Sequence, residues 1–322
     1  PVIYAPDADC PRWRTFITEI MQGDKARADY LQKAIGYSLT GDTRMECLFI
    51  LYGPTSRNGK GTTMESILRI MGEYGKNADP TMLQAKFNSQ SGGPSEEIAR
   101  LAGSRFVNIS EPEKKITLDA ALTKRLTGND TITARYLHEN SFEFRPNFKI
   151  FINTNHRPNI TDLTLFESGR IKIIPFDRHF EENEQDKDLK STFAKPENMS
   201  GILNWMLEGY KLFRSQGLAM PDSVVQATTD YQIFSDKMGQ FFDECIEEKE
   251  GCELRRGAVY TRYKEWCGEN GYRAEAAKNL NQEIEKRYKT ARKRPNDGAS
   301  SSTTPMVLDV AFTASEESKE DF

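Results

Sequence analysis

Residues 47–63 read CLFILYGPTSRNGKGTT, and this stretch decides the fold. It opens with an unbroken apolar run at 47–52. Continuous rather than alternating apolar residues predict a strand that is buried on both faces, as in a parallel sheet. A loop with glycines at both ends, Gly53 and Gly59, comes next, and Lys60 and then a predicted helix follow it. Strand, glycine loop, lysine and helix N-terminus form the arrangement that cradles phosphate groups.

The residue types of this loop suit a nucleoside triphosphate such as ATP. Backbone N–H groups and the helix dipole receive the anion, while Lys60 reaches the terminal phosphates. The common pattern has a serine or threonine directly after the lysine to bind Mg²⁺, but Gly61 stands there. The hydroxyl is therefore expected from the next two residues, with Thr62 considered before Thr63. The predicted nucleotide-binding residues are Gly53, Asn58, Gly59, Lys60, Gly61, Thr62 and Thr63.

Further apolar runs extend this pattern along the chain. Strands are predicted at 105–109, 149–152 and 171–174, with helices at 62–71 and 118–127 between some of them. Buried strands with intervening helices are typical of a nucleotide-binding core of the α/β class.

Polar residues follow two of these strands, where catalytic groups are expected. A P-loop ATPase needs an acid at the end of a neighbouring strand to hold magnesium and to activate water. Glu111 is the first candidate for both tasks and Glu113 the second, since no Asp-Glu pair is present. Asn155 follows the 149–152 strand and is predicted to contact the γ-phosphate and to orient the attacking water.

Composition excludes several classes of protein. The chain has 322 residues, 37% of them hydrophobic and 29% charged, and no run approaches the roughly 20 apolar residues of a membrane span. The net charge of −4 argues against a protein that binds nucleic acid over its whole surface, although it allows a local basic channel. Five scattered cysteines without a paired motif indicate reduced thiols rather than disulfides or zinc. The chain begins at Pro1, which suggests a fragment of a longer protein.

Several motifs in order resemble the core of superfamily 3 helicases. They are LTGNDTITAR at 126–135, FEF at 142–144, TNHRP at 154–158 and GRI at 169–171, preceded by LQKAIGY at 31–37. The resemblance is strongest to poxvirus-type and to phage and plasmid primase-helicases. It implies an AAA+-like ring ATPase that uses ATP and Mg²⁺, forms a homo-hexamer and translocates on single-stranded DNA. A primase or polymerase, on the same chain or separate, would accompany it in the cytoplasm of the host cell.

The resemblance also assigns roles to individual residues. Arg170 matches the arginine that completes the active site of the neighbouring subunit, and Arg157 is the reserve candidate because Gly169 replaces the first of the usual two arginines. Residues 131–148 alternate and turn near 138–140, which predicts a β-hairpin. In the family, such a hairpin reaches the DNA in the pore. The predicted DNA contacts are Lys124, Arg135 and His138.

The sequence therefore predicts that the chain is organised in four segments. An N-terminal helical collar occupies 1–44, the AAA+-like ATPase core 45–180 and a helical linker or lid 181–250. A winged-helix-like domain with an acidic tail occupies 251–322. Between Glu253 and Pro295 twelve Lys and Arg stand against six Glu, which fits contact with phosphates.

Two other functions are compatible with part of this pattern. A P-loop phosphotransferase would share the phosphate loop but would leave the motifs at 126–158 unexplained. A nucleotide-gated initiator or loader would share the motifs but unwind little DNA itself.

Overall fold

The computed structural model describes residues 2–85, 96–110, 116–293 and 303–313. The chain divides into two compact units, Pro1–Ser235 and Asp236–Phe322. The predicted divisions at 44 and 180 both fall inside the first unit.

A parallel sheet lies at the centre of the first unit. The strands of this unit are β1 (Leu48–Tyr52), β2 (Gly75–Ala78), β3 (Phe106–Ser110), β4 (Ile132–Ala134), β5 (Phe142–Phe144), β6 (Lys149–Thr154) and β7 (Ile171–Pro175). Strands β2, β3, β6, β1 and β7 form the sheet in that order, and every neighbouring pair is parallel. The predicted α/β class with a buried parallel sheet is confirmed.

Helices cover both faces of this sheet. They are α1 (Pro11–Ile20), α2 (Lys25–Tyr37), α3 (Lys60–Met71), α4 (Glu96–Ala99), α5 (Ala120–Thr127), α6 (Thr164–Glu167), α7 (Leu189–Phe193), α8 (Pro196–Gln216) and α9 (Asp222–Ser235). Side chains cap the first turn of two of these helices. Asp24 and Asp119 cap α2 and α5 by accepting hydrogen bonds from backbone N–H groups of the first turn.

Alternate residues of the strands enter two separate cores. On one face the rings of Phe49, Phe151 and Phe106 stack across three strands, with centroids 4.7 and 4.8 Å apart, in the core that also contains residues of α1, α2, α3 and α8. On the other face, Ile50 and Ile152 join a core that includes residues of α5, α6 and α9. Burial on both faces accounts for the continuous apolar runs in the sequence.

Helices α2 and α8 cross with their backbones in contact. A Cβ added at Gly36 would lie 2.2 Å from the backbone nitrogen of Tyr210, and one at Gly209 would lie 2.1 Å from the carbonyl oxygen of Gln32. Only glycine fits at such a crossing. Helix α2, which precedes the sheet in the chain, and helix α8, which follows it, therefore pack directly against each other.

The described residues of the second unit form three helices and a three-stranded antiparallel sheet. Its elements are α10 (Lys237–Cys245), β8 (Ile246–Arg255), α11 (Arg256–Glu269), α12 (Ala277–Arg287), β9 (Thr290–Lys293) and β10 (Thr304–Phe312). The strands lie in the order β8-β10-β9. Phe241, Tyr263, Trp266, Leu280 and Val307 are among the residues of its core.

Strand β8 corrects the expectation that the predicted linker or lid at 181–250 is helical to its end. Its glutamates and Lys249 favour a helix in isolation, but pairing with β10 overrides this local preference. The predicted boundary at 250 lies within the strand.

Within the described ranges, no helix is both long enough and apolar enough to cross a membrane.

Candidate nucleotide-binding site

The phosphate loop connects the end of β1 to the start of α3. Gly59 is the residue before the helix and has a φ of +85°, a left-handed value that favours glycine. A Cβ there would also lie 2.4 Å from Cγ2 of Ile20. Both constraints fix glycine at the point where the loop turns into the helix, so the backbone N–H groups of the first turn of α3 face the loop.

Lys60 and Asn155 meet at the carboxyl end of the sheet. Lys60 is only 3% exposed, and its Nζ donates to Oδ1 of Asn155 at 2.7 Å and to the carbonyl oxygen of Gly53 at 3.3 Å. Strand β6 lies between β1 and β3, so the residue after its end adjoins the loop after β1. The structure therefore brings together two predicted site residues that are far apart in the sequence.

A cleft of about 590 Å³ opens at this edge. This volume is within the range of small-molecule sites, about 300–1,000 Å³. Its walls are the phosphate loop, the first turns of α3, polar side chains of β2, β3 and β6, and α7. The lining residues are Ser56, Arg57, Asn58, Gly59, Lys60, Gly61, Thr62, Met64, Glu65, Leu68, Asn77, Asn108, Ser110, Asn153, Asn155 and Lys190. A helix N-terminus, a buried ammonium and this volume fit a nucleotide's phosphates.

The two threonines after Gly61 have different surroundings. Thr63 is fully buried, and its hydroxyl donates to the carbonyl oxygen of Gly59 at 2.9 Å. Thr62 lines the cleft. Thr62 is partly exposed. Of the two threonines, Thr62 is therefore the one on the wall of the cleft.

Asn58 supports the loop itself. It is 3% exposed, and its Nδ2 donates to the carbonyl oxygen of Thr55 at 2.7 Å. The predicted residue therefore holds the shape of the loop from within.

The predicted acids, Glu111 and Glu113, lie outside the described residues. Ser110, the residue before Glu111, ends β3 and lines the cleft. Within the parts of the chain that the structure describes, no cluster of three or more His, Cys, Asp or Glu side chains could hold a metal ion.

The segment after β7 contacts the outer side of the phosphate loop, which the sequence did not reveal. The backbone N–H of Phe180 donates to the carbonyl oxygen of Arg57 at 2.9 Å, and Nδ1 of His179 lies 2.9 Å from the carbonyl oxygen of Ser56. Arg57 itself has a φ of +59°. These contacts fix the backbone of the loop at Ser56 and Arg57.

A second cavity of about 230 Å³ adjoins the first. The two share Arg57, Gly59 and Thr62, and Phe16 and Phe180 add aromatic walls to the second. Its lining comes from α1, the phosphate loop and residues 180–189. No local motif joins these distant segments, so the sequence carried no signal for this cavity.

Neither candidate arginine lines the cleft of its own chain. Arg170 precedes β7 at the amino end of the sheet, and its carbonyl oxygen accepts from the backbone N–H of Leu48. Its guanidinium, 16% exposed, donates to Glu46 at 2.6 Å and to Oγ1 of Thr127 at 2.9 Å. The guanidinium of Arg157 lies near aromatic rings, 5.0, 5.6 and 5.1 Å from the centroids of Tyr52, Tyr231 and Phe234, respectively.

The predicted hairpin is present, formed by β4 and β5, which pair antiparallel. His138 lies in its turn with a φ of +63°, and the neighbouring Leu137 is 56% exposed. Arg135 follows β4 directly. Lys124 lies apart, on α5, where its Nζ donates to Asp162 at 2.9 Å.

Comparison with known proteins supports this architecture. Residues 234–306 match the family described as Poxvirus D5 protein-like, and residues 51–170 match a family of unknown function, DUF5906. The C-terminal region of NrS-1, solved in its apo form, has a TM-score of 0.57 at 13% identity. The match covers 96% of this chain and 77% of that one. This likeness concerns the fold.

Curated relatives of this chain are viral proteins. "Putative helicase L207/L206" of Acanthamoeba polyphaga mimivirus is 28% identical over 269 residues, which are 78% of this chain. "Putative helicase 022R" of Frog virus 3 (isolate Goorha) is 26% identical over 272 residues, or 79% of this chain. The chain spans 28% of the length of each of these relatives. The predicted resemblance is thus confirmed: this chain is similar to poxvirus D5-like proteins, to viral proteins named as helicases and to the NrS-1 C-terminal region.

Proposed function

We propose that this chain hydrolyses ATP, with Mg²⁺, at the phosphate-loop cleft, and that it is the motor of a DNA helicase for the replication of a virus, phage or plasmid. The observation that carries the proposal is the 2.7 Å contact between Lys60 and Asn155, which both line this cleft. It supports the proposal because it joins the ammonium at the start of α3 to the amide after β6, as a phosphate-binding cation and a water-orienting amide of one site would require. The viral proteins named as helicases support the choice of a motor over other ATPases.

The residues of the cleft suggest how hydrolysis proceeds. Lys60 and the N-terminus of α3 stabilise the negative charge of the β- and γ-phosphates, and Asn155 orients the attacking water. The water oxygen bonds to the γ-phosphorus while the bond to the β–γ bridging oxygen breaks. ADP leaves with that electron pair, and a proton of the water passes to Glu111, giving ADP and inorganic phosphate.

A magnesium ion would neutralise phosphate charge in this site. Thr62 supplies a hydroxyl on the cleft wall, and Glu111 follows Ser110, which also lines the cleft. Carboxylate and hydroxyl oxygens together with phosphate suit Mg²⁺, which rarely relies on protein ligands alone. We assign Thr62 and Glu111 to hold it.

The position of Arg170 favours a ring, which we propose to be a homo-hexamer. Parallel β1 and β7 place the residue before β7 at the opposite end of the sheet from the loop after β1. Arg170 therefore serves the cleft of a neighbouring subunit rather than its own. Arg157, which stacks on rings of its own chain, stays the alternative.

We propose that the chain moves along single-stranded DNA, contacted by Arg135 and His138 on the hairpin and by Lys124 on α5. The second unit has the element order of a winged helix, with β9 and β10 as the wing strands, which supports a DNA-binding role. Part of its basic charge is neutralised internally, since Arg287 pairs with Asp236 at 2.9 Å. The hairpin is therefore the primary contact in this proposal.

The decisive test is ATP turnover of Lys60→Ala. We expect hydrolysis to be abolished with an unchanged melting curve, because the lysine contacts phosphate directly. Lys25→Ala is the matched control, since Lys25 is a surface lysine that pairs with Asp29. Turnover of Lys60→Ala close to that of the wild type would overturn the assignment. Strand displacement, measured beside turnover, separates a helicase from a loader.

A further inference from the structure

The turn that follows β6 carries Asn155, and side chains fix its backbone at both ends. Oγ1 of Thr154, the last residue of β6, accepts from the backbone N–H of His156 at 3.0 Å and donates to the carbonyl oxygen of the same residue at 2.6 Å. Pro158 is buried, and its carbonyl oxygen accepts from the hydroxyl of Tyr231 on α9. Asn155 therefore lies in a turn that its own chain holds in place.

Arg157, two residues after Asn155, joins this turn to two other elements. Its guanidinium lies 5.0 Å from the ring centroid of Tyr52, the last residue of β1. On α9, the ring centroids of Tyr231 and Phe234 lie 5.6 and 5.1 Å from it. A guanidinium at such distances is attracted by the negative face of each ring. The three contacts tie the turn to the end of β1 and to α9.

Aromatic rings hold this cation without adding negative charge. Among the residues that the structure describes, no carboxylate forms an ion pair with Arg157, and its contacts are the three rings. A carboxylate in their place would stand two residues from Asn155, which lines the cleft, and would repel phosphates bound there. Rings are therefore the kind of partner that suits an arginine beside a phosphate-binding cleft.

The end of β1 that Arg157 contacts leads directly into the phosphate loop. The backbone N–H of Gly53, the residue after this strand, donates to the carbonyl oxygen of Thr154 at 3.3 Å. The carbonyl oxygen of Gly53 accepts from Nζ of Lys60, which also donates to Oδ1 of Asn155. The turn is thus connected to the loop and its strand by backbone atoms, by the lysine and by the guanidinium.

We propose that Arg157 is a positioning residue of its own subunit, whose contacts with the three rings hold the turn after β6 so that the amide of Asn155 stays beside Lys60. The inference rests on the proposed ATPase function. Arg157 does not line the cleft, so it acts on the nucleotide through Asn155. Displacement of a catalytic group by about 1 Å costs up to about a hundredfold in rate, so loss of this support should lower kcat.

A double-mutant cycle on kcat tests this dependence. We expect Arg157→Ala to lower kcat at least about fivefold, with KM for ATP within about threefold of the wild type. In an Asn155→Ala background the same substitution should lower kcat less than about twofold, because the group through which Arg157 acts is already absent. Single-turnover assays with enzyme in excess keep the slow variants measurable. Equal factors in the two backgrounds would overturn the positioning role.

Conservative variants support the same cycle. Arg157→Lys should recover part of the lost kcat, since an ammonium also binds the faces of aromatic rings. If Arg157→Ala does not fold, Phe234→Leu removes a single ring at a position that is 47% exposed. We expect this variant to lower kcat about twofold or more, and to have no such effect in the Asn155→Ala background. An equal effect there would again contradict the role.

Arg105→Ala is the matched control for the loss of a contact between a cation and a ring. The guanidinium of Arg105 lies 4.2 Å from the ring centroid of Tyr74 and donates to the carbonyl oxygen of Leu39 at 2.8 Å. Arg105 precedes β3, at the end of the sheet opposite to the cleft. We expect a lower melting temperature with kcat within about twofold of the wild type. A fall in kcat as large as that of Arg157→Ala would assign both effects to stability and overturn the inference.

Mixing experiments separate a role in the same subunit from one in a neighbour. Arg157→Ala mixed with Lys60→Ala should give the sum of their separate turnovers, because neither chain then has a complete site of its own. Turnover above that sum would place Arg157 in the site of a neighbour and overturn the inference. The proposed function is judged separately: it stands if the wild type hydrolyses ATP and Lys60→Ala does not, and it fails if the wild type has no turnover.

Discussion

Arg170 and Glu46 form an ion pair at 2.6 Å, at the end of the sheet opposite to the phosphate loop. The same guanidinium donates to Thr127. If Arg170 reaches the nucleotide of a neighbouring subunit, it must leave this carboxylate. On the proposed ring, Glu46 would therefore compete with the neighbour's phosphates for the arginine.

Glu46→Gln tests this competition. Loss of the carboxylate removes an ion pair that keeps Arg170 bound within its own chain. The free energy of a partly exposed ion pair is about 0.2–1 kcal/mol. We expect turnover at limiting protein concentration to rise up to about fivefold. The matched control is Glu208→Gln, which breaks the pair with Arg14 far from the sheet end. A loss of turnover in Glu46→Gln would show that Glu46 supports Arg170 rather than restrains it.

Glu111→Gln should trap bound ATP. The amide keeps the shape of the site but cannot accept the proton of the attacking water. Nucleotide affinity should be retained while turnover falls by about a hundredfold or more. Filter binding and turnover on the same preparation measure both. Glu113→Gln is the paired variant, and a larger effect there with a silent Glu111→Gln would transfer the role to Glu113.

A buried lysine predicts how stability depends on pH. Lys149, at the start of β6, donates to the carbonyl oxygens of Thr40 and Asp42 and lies 4.4 Å from the ring centroid of Tyr37. Burial lowers the pKa of Lys149 to about 7. Between this pKa and that of the unfolded chain, 10.5, the unfolded state binds the extra proton. Stability therefore rises with pH in this window.

Lys149→Met isolates this contribution. From pH 7 to 10, the unfolding free energy of the wild type should increase relative to that of the variant by up to about 1.4 kcal/mol per pH unit. Urea unfolding at a series of pH values measures it. A difference that stays constant across the window would contradict the lowered pKa.

The crossing of α2 and α8 should not tolerate one added methyl group. Gly209→Ala places a Cβ against the carbonyl oxygen of Gln32, so we expect a loss of about 1–3 kcal/mol or more. Gly257→Ala is the matched control in a helix, where a Cβ meets no atom within 4 Å. That variant should be neutral or more stable by about 0.5–1 kcal/mol. Equal melting of the two variants would contradict the backbone contact.

The sequence predicted those parts of the fold that have a local signal. Strands β1, β3, β6 and β7 are buried on both faces and therefore appear as apolar runs. Strand β2 has none, because it is an edge strand of polar and small residues whose strand geometry comes from pairing with β3. Strand β8 was missed for a similar reason, since pairing with β10 outweighs its helical composition.

The sequence predicted those residues of the candidate site that belong to a local motif, and it missed the others. Lys60 and Asn155 follow predicted strands, so parallel pairing alone brings them together. Asn108, by contrast, lies inside a strand, where an amide looks like any interior polar residue. The walls formed by Phe16 and Phe180 come from segments more than 150 residues apart in sequence, and only the folded chain joins them.

The central claim is that each active site combines Lys60 of one subunit with Arg170 of its neighbour. Arg170→Ala should bind ATP normally but hydrolyse it poorly, because an arginine in trans contributes about a thousandfold or more to the rate. Lys60→Ala should be inactive. The direct measurement is ATP turnover after mixing the two variants, with co-assembly verified by native mass. We predict that turnover in the mixture exceeds the sum of the separate variants, since some interfaces pair an intact lysine with an intact arginine. Turnover equal to that sum, in verified mixed assemblies, would contradict the claim.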